Sequence, residues 1–550
     1  MTEVQEHPDT HAAALRWIAE DPDPNTREEL RRLLDGEHPD ELADRMAGPL
    51  RFGTAGLRGK VRAGPAGMNI AVVRRTTAGL AAWLLERDAV RAGARLVVVG
   101  RDARLGSARF AAAAAGVLAG AGFDVIALAD PLPTPLLAYA VRQRRAVAGV
   151  QITASHNPPT DNGYKVFLGG PDEGAQLVEP ADAEIEAAIA DAPAAADIPF
   201  TPVPETNPEG LVWHYLDRVS RLPFGADRNL RIALTPLHGV GGAVAVRALR
   251  SAGFTDVRLV PSQAEPNPAF PTVAFPNPEE PGATDALLEL ARYIDADLAV
   301  ALDPDADRCA LGVPDPSADG GWRMLTGNET GALLGEHLLA NLDREYYPDP
   351  LVATTVASSR QLREIAAAHG ARFAETLTGF KWIVRAGDQS EGGDPGFVYG
   401  FEEALGYCVD PDGVRDKDGI ATAVLAADLA ATRKAEGGSL LDALDELALA
   451  HGLHLTEAVT FPLAPADRDD VVARLGRVTS GVTRPAPDVL VIDGTRGRAV
   501  VRPSGTEPKL KAYLEVTEPV AGRDELPAAR ERAAERLAEL RAHVSELVTP

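Results

Sequence analysis

From about residue 95 onward, short apolar runs alternate with longer Ala/Leu-rich stretches whose apolar positions recur at helical spacing. Arg95–Gly100, the helical stretch Ser107–Ala121 and Phe123–Leu128 form a first strand–helix–strand unit. The same cycle restarts at Leu230–Thr235 and again at Leu351–Val356, which predicts three similar domains with parallel α/β layers. A Pro/Ala-rich stretch from Asp191 to Pro208 reads as a linker or surface loop. After about residue 454 the pattern becomes strand-rich, with Asp488–Ile492 among the strands and an amphipathic helix Ala528–Leu547 at the end. This predicts a smaller C-terminal α+β domain. The expected boundaries are 1–220, 221–325, 326–454 and 455–550.

Three of the strands deliver loops of unusual composition. Ala146–Ile152 leads into Thr153-Ala154-Ser155-His156-Asn157-Pro158, placing Ser155 at a strand's C-terminal end, where open α/β sheets hold ligands. Asn-Pro and Pro-Pro are turn formers, so a plain turn is the competing reading. A serine hydroxyl needs help to act as a nucleophile, and His156 and Lys165 are the neighbouring candidates. Leu298–Leu302 leads into Asp303-Pro304-Asp305-Ala306-Asp307-Arg308. In an extended loop residues i, i+2 and i+4 project to one side, so three carboxylates converge on a hard cation. An EF-hand is excluded because Arg308 and Pro314 stand where glycine and glutamate are required, so Mg²⁺ is the expected ion. Arg498–Val501 leads into Arg502-Pro503-Ser504-Gly505-Thr506-Glu507-Pro508-Lys509, a phosphate binder's composition of guanidinium, hydroxyls and glycine.

Composition narrows the class further. Gly53–Lys60 has the wrong glycine spacing for a Walker A loop, and Val61 follows the lysine, which removes most support for a nucleotide kinase. At 550 residues, −25 net charge and 45% hydrophobic content, the chain reads as a soluble multidomain enzyme without a nucleic-acid surface. No apolar run reaches membrane-spanning length, and the acidic Met1–His7 start lacks a secretory signal's basic and apolar regions, so a cytoplasmic location is expected. Cys309 and Cys408 are too few for a disulfide framework and are expected to pack as small apolar groups. Arg58, Lys60, Arg62, Lys165, Lys417, Arg502, Lys509 and Lys511 offer a local basic cluster for a phosphorylated small molecule.

Taken together, the three loops, the segment Gly400-Phe401-Glu402-Glu403-Ala404-Leu405-Gly406-Tyr407 and their order make the chain resemble the α-D-phosphohexomutase superfamily of phosphoglucomutases and phosphomannomutases. Arg51–Gly59 and Asp161–Phe167 resemble in particular the branch with phosphopentomutase and bacterial α-phosphoglucomutase. The resemblance implies three α/β domains and a mobile C-terminal domain around a central cleft. It implies a phosphorylated Ser155, Mg²⁺ bound by Ser155, Asp303, Asp305 and Asp307, and a sugar 1,6-bisphosphate as intermediate and activator. Acid–base work is expected of Lys165 or His156 with Arg58 nearby, and Arg308 is expected to offset developing charge. Sugar and phosphate contacts fall to Thr378, Gly379, Lys381, Glu402, Glu403, Lys417, Arg502, Ser504, Gly505, Thr506 and Lys509. One departure stands out: many family members carry serine in the sugar loop where this chain has Ala404, so one hydroxyl contact is missing and the choice between hexose and pentose phosphate stays open. Two rivals remain, a haloacid-dehalogenase-type phosphatase with Asp303 as nucleophile and a non-catalytic sugar-phosphate sensor. The expected partner is a phosphosugar, with the enzyme a monomer or homodimer. As a solvent-facing loop hydroxyl, Ser155 is expected to add little to stability.

Overall fold

The computed structural model describes residues 8–36, 38–53, 56–387, 394–462, 481–503 and 509–548. Its first three sheets repeat one design. In the first, Leu96–Arg101 runs parallel to Asp124–Leu128 on one side and to Ala148–Ile152 on the other, and Ala148–Ile152 pairs antiparallel with Asp161–Leu168. In the second, Arg231–Thr235 lies between Asp256–Leu259 and Leu298–Leu302, both parallel, and Leu298–Leu302 pairs antiparallel with Cys309–Pro314. The third repeats this with Leu351–Thr355, Arg372–Thr376, Phe397–Glu402 and the antiparallel Gly406–Cys408. The β-rich apolar strands are buried on both faces, as parallel layers require, which explains their continuous hydrophobic runs.

In every repeat the connection between the third and fourth strands carries a non-glycine residue in the left-handed region: Ser155 at φ 52°, Ala306 at φ 57° and Leu405 at φ 63°. Such residues are uncommon and cost on the order of 1 kcal/mol or more, so a tight turn held three times at the same topological place marks three equivalent loops.

The fourth domain is all antiparallel in its sheet, in the order Leu453–Pro462, Lys509–Glu518, Gly497–Pro503, Val489–Gly494, Val482–Ala486. Helix Leu526–Val548 covers it through Ala529, Ala533, Leu537, Leu540 and Val544. One apolar core runs continuously through the first three domains, from Val98 through Leu234 to Tyr399, whereas the fourth has its own. Val356 of the third domain packs with Val489, Val491 and Val500 where the two meet.

Two stretches carry more structure than the pattern specifies. Asp191–Pro208 is not a free linker: Thr201 N–H donates to Gly116 O, and Glu205–Thr206 adds a parallel edge strand beside Leu128. Gly116 makes that possible, since a Cβ there would sit 2.1 Å from the Phe200 ring. The N-terminal segment forms helices Pro8–Glu20, Pro24–Asp35 and Pro39–Arg45 around a small core of Ala14, Ile18, Leu30, Leu42 and Ala63. No described helix is long and apolar enough to cross a membrane. Cys309 and Cys408 are both buried free thiols, as expected.

Candidate active site

The strand-end serine meets the aspartate loop across the junction of the first two domains. Ser155 Oγ donates to Asp303 Oδ2 at 2.6 Å and lies 3.2 Å from His156 Nδ1. Ser155 is 1% exposed, which corrects the expectation of a solvent-facing hydroxyl: the loop folds inward against the second domain. Its backbone is fixed by Thr153 Oγ1, which accepts from Ser155 N–H at 2.9 Å, and by a guanidinium clamp. Arg104 donates to the carbonyls of Ser155 and Asn157 at 2.6 Å and of Pro158 at 2.8 Å. Arg58, on Gly56–Lys60 beside Asp161–Leu168, donates to Asn157 Oδ1 at 2.8 Å, so two arginines hold the loop from either side.

Asp303, Asp305 and Asp307 bring one carboxylate oxygen each within 4.8 Å of one another, all buried. Lys165 Nζ donates to Asp305 Oδ2 and Asp307 Oδ2, each at 2.7 Å. Thr134 of the first domain closes the loop from the other side, its Oγ1 donating to Asp305 Oδ2 at 2.6 Å and its N–H to the Asp305 carbonyl at 2.9 Å. Asp305 Oδ1 and Asp307 Oδ1 are buried and accept no hydrogen bond. Buried anionic oxygens left bare in this way, within reach of Asp303, are a hard-cation donor set, so the residues present fit a divalent ion such as Mg²⁺.

Charge is distributed unevenly over these groups. Burial, reinforced by the Asp305 and Asp307 charges, pushes Asp303 well above the usual carboxylate range. Burial acts the same way on Asp305 and Asp307, yet the Lys165 ammonium, joined by the Thr134 hydroxyl at Asp305 and by Lys417 and Arg308 at Asp307, brings both below that range. Lys165 stays cationic because the two carboxylates overcome its own burial. For His156, burial and then the Arg308 and Arg58 charges lower the imidazole well below its ordinary value, leaving it neutral. Arg308 is anchored by its N–H on Asp303 Oδ1 at 3.1 Å and faces Glu279 at 3.4 Å.

The third domain's loop closes on the same place through Lys417. Its Nζ is 3.5 Å from Asp307 Oδ2 and 5.4 Å from the Phe380 ring centroid, so Phe380 is both core and cation partner. Gly406 is required here, because a Cβ would fall 2.3 Å from Lys417 Cδ and 3.0 Å from Glu402 Cγ. Burial raises the Glu402 carboxyl, with Lys417 and Arg308 only partly offsetting it. Glu403 turns the other way: its Oε2 accepts from Ser358 Oγ at 3.0 Å and Thr355 Oγ1 at 3.1 Å, inside the third domain. Lys381 also turns from the loop it was grouped with, its Nζ lying 3.7 Å from Asp182 of the first domain. Gly379, at φ 115°, starts the short helix Phe380–Ile383 just after Thr378. Arg502 Nη1 donates to Thr378 Oγ1 at 2.5 Å, which joins the fourth domain's loop to the third domain. Lys509 opens the strand Lys509–Glu518, while Ser504, Gly505 and Thr506 lie outside the described residues.

Sequence reasoning overlooked Arg104 and Thr134. A strand-end Arg and a Thr-Pro helix start are visible in the chain, but their targets lie 51 and 171 positions away.

The chain is similar to known proteins along most of its length. Family models described as phosphoglucomutase/phosphomannomutase alpha/beta/alpha domains I, II and III match residues 49–195, 214–316 and 326–448, and the family's C-terminal domain matches 461–532. The Haemophilus influenzae protein named "probable phosphomannomutase" is 39% identical over 469 residues, spanning 82% of this chain and 93% of that protein. A Mus musculus phosphopentomutase is 33% identical over 92% of this chain and 90% of its own length. The crystal structure of a candidate phosphomannomutase from Thermus thermophilus, 26% identical, superposes with a TM-score of 0.66 over 90% of this chain and 99% of that one. With all four matches falling in the order of the four sheets, the chain belongs to the phosphoglucomutase/phosphomannomutase family of phosphosugar mutases.

Proposed function

We propose that this mutase interconverts sugar 1-phosphates and sugar 6-phosphates, of glucose or mannose, by passing a phosphoryl group through Ser155. The observation that carries this reading is the 2.6 Å contact between Ser155 Oγ and Asp303 Oδ2, which puts a nucleophile against a hard-cation donor set. Asp303, Asp305 and Asp307, with an oxygen of phosphorylated Ser155, would hold Mg²⁺. A bound Mg²⁺ supplies Lewis-acid withdrawal of charge from the phosphoryl oxygens.

In the first half, the bond between Ser155 Oγ and phosphorus breaks as the sugar's free hydroxyl forms its own bond to phosphorus, giving a sugar 1,6-bisphosphate. Neutral His156 suits removal of the hydroxyl proton, and the Lys165 ammonium suits charge compensation of the departing Ser155 oxygen. Arg308 and Lys417, both beside Asp307, offset charge on the transferring group. The bisphosphate then turns end for end, and Ser155 Oγ takes the other phosphoryl, releasing the isomer. Arg58 keeps the serine loop in place through Asn157. The far phosphate is assigned to Arg502, with Thr378 and Gly379 beside it and Ser504, Gly505, Thr506 and Lys509 on the same loop. Glu402 and Lys417 read sugar hydroxyls; Glu403 and Lys381 act through the loops they brace. Both Asp303 oxygens are engaged, by Ser155 and by Arg308 N–H, which speaks against the phosphatase reading in which Asp303 is a free nucleophile.

Ala404 favours a second reading, phosphopentomutase, since the missing hydroxyl contact suits a smaller sugar, and the mouse relative carries that name. The boundaries 1–220, 221–325, 326–454 and 455–550, a cytoplasmic location and action as a monomer or homodimer complete the proposal. A panel of glucose, mannose, ribose and deoxyribose 1-phosphates tests it: turnover of a hexose phosphate, stimulated by its bisphosphate, is expected, and turnover of pentose phosphates alone would replace the first reading by the second.

A further inference from the structure

A cavity of about 480 Å³, with none of Asp303, Asp305 or Asp307 in its lining, lies between the N-terminal helices and the first domain. The helix Pro8–Glu20 that forms one wall lies before residue 49, where the match to the family begins. The cavity's size is that of a small-molecule site. Trp17, Leu50 and Ile189 give it apolar walls, and Arg51, Arg75 and Glu186 supply its charged groups.

The polar groups are poorly satisfied from within the protein. Trp17 Nε1 is buried and has no hydrogen-bond partner. An indole N–H buried without an acceptor is exceptional, because its desolvation is uncompensated. Among the described residues neither Arg51 nor Arg75 has a carboxylate within ion-pair distance, in a chain that carries 80 acidic residues against 55 basic ones. Glu186, the one carboxylate on the wall, is engaged by Phe52 N–H at 2.7 Å. Arg51 and Arg75 therefore line a partly apolar chamber without a paired anion, and the Trp17 N–H is sealed beneath its wall.

We infer that this cavity is a binding site for a small organic anion with an aromatic or otherwise flat apolar body. Its anionic group would be taken by Arg51 and Arg75, and its body would cover Trp17, Leu50 and Ile189. The guanidiniums suit a carboxylate, sulfonate or phosphate group through paired N–H donors.

The probe is 8-anilinonaphthalene-1-sulfonate, titrated by its fluorescence against the full-length protein in saturating glucose 1-phosphate, which keeps the probe out of the catalytic cleft. One saturable site is expected. Arg75→Gln should weaken it about fivefold or more, as loss of a charge-assisted contact does, and Arg75→Lys should recover part of that loss. Ile189→Trp, which fills the chamber, should abolish the site while mutase activity stays at its normal level. Naphthalene-1-sulfonate should displace the probe, and naphthalene-1-methanol, which has the body without the charge, should do so at least tenfold more weakly. Binding that is unchanged in both Arg75→Gln and Ile189→Trp, equal displacement by the charged and uncharged compounds, or no saturable binding at all would overturn the inference.

Discussion

Ser155 is held in place by the residues around it more than by its own strand. Arg104 takes its carbonyl, Thr153 its N–H and Asp303 its hydroxyl, so the oxygen proposed to carry the phosphoryl group is also part of the packing. Ser155→Ala is therefore expected to abolish mutase activity and also to destabilise the protein by about 1–3 kcal/mol, because Asp303 loses a buried donor. Denaturant melts beside an activity assay check both parts; a variant as stable as the parent would deny the Asp303 contact. Ala404 is the residue where specificity is expected to respond. Ala404→Ser should change the hexose-to-pentose ratio of kcat/KM by about tenfold, the scale of one hydroxyl contact, and an unchanged ratio would leave the choice to Glu402 and Lys417. Ser155 and the three aspartates were readable because each directly follows an apolar strand. Arg104, Thr134 and the diversion of Glu403 and Lys381 were not, since each depends on a partner that only the tertiary fold brings near.

Among the elements, the strand Lys509–Glu518 does most to seat the fourth domain. Glu515 on it is buried against the third domain, accepting from Ser359 Oγ at 2.6 Å, Arg360 N–H at 3.0 Å and His454 Nδ1 at 2.9 Å. Burial alone would raise its carboxyl, but these partners lower it from 4.5 to about 2. A depressed carboxylate stabilises the folded protein above its unfolded value and loses that contribution as pH falls through the folded one, so the window runs from about pH 4.5 down to about 2. Glu515→Gln should then cost on the order of 3 kcal/mol at pH 6, and urea melts at pH 3 should show a smaller gap between variant and parent. An equal gap at both values would contradict the latch. The same variant should raise KM for the sugar phosphate more than it lowers kcat, since Arg502 rides on this domain. Strand and helix alternation made the three repeats legible, and the shared left-handed turn confirms their equivalence. Pro24–Asp35 escaped because half of its residues are charged, and the anchoring of Asp191–Pro208 because its packing depends on two helix glycines, Gly116 and Gly120, that a proline-rich pattern does not reveal.

At the scale of the whole molecule, a chain of net charge −25 gathers cations at the point where its first three domains meet. Lys165, Arg308 and Lys417 surround Asp307 there, so the local field suits a phosphorylated substrate although the global charge opposes it. The bare oxygens of Asp305 and Asp307 fit a divalent ion. Excess EDTA should therefore stop turnover and Mg²⁺ restore it, while Asp305→Ala should need far more Mg²⁺ and remain slow; full activity in EDTA would remove the metal from the account. The first three domains share a continuous core, and the fourth, with a core of its own, is seated on the third through Val356 and Glu515. In the proposed function these domains present Ser155. Phosphopeptide mapping of the enzyme after incubation with a sugar 1,6-bisphosphate tests this most directly. The account predicts one phosphate, on Ser155, that passes to added sugar monophosphate. A phosphate on another residue, or one on Ser155 that cannot be passed on, would contradict it.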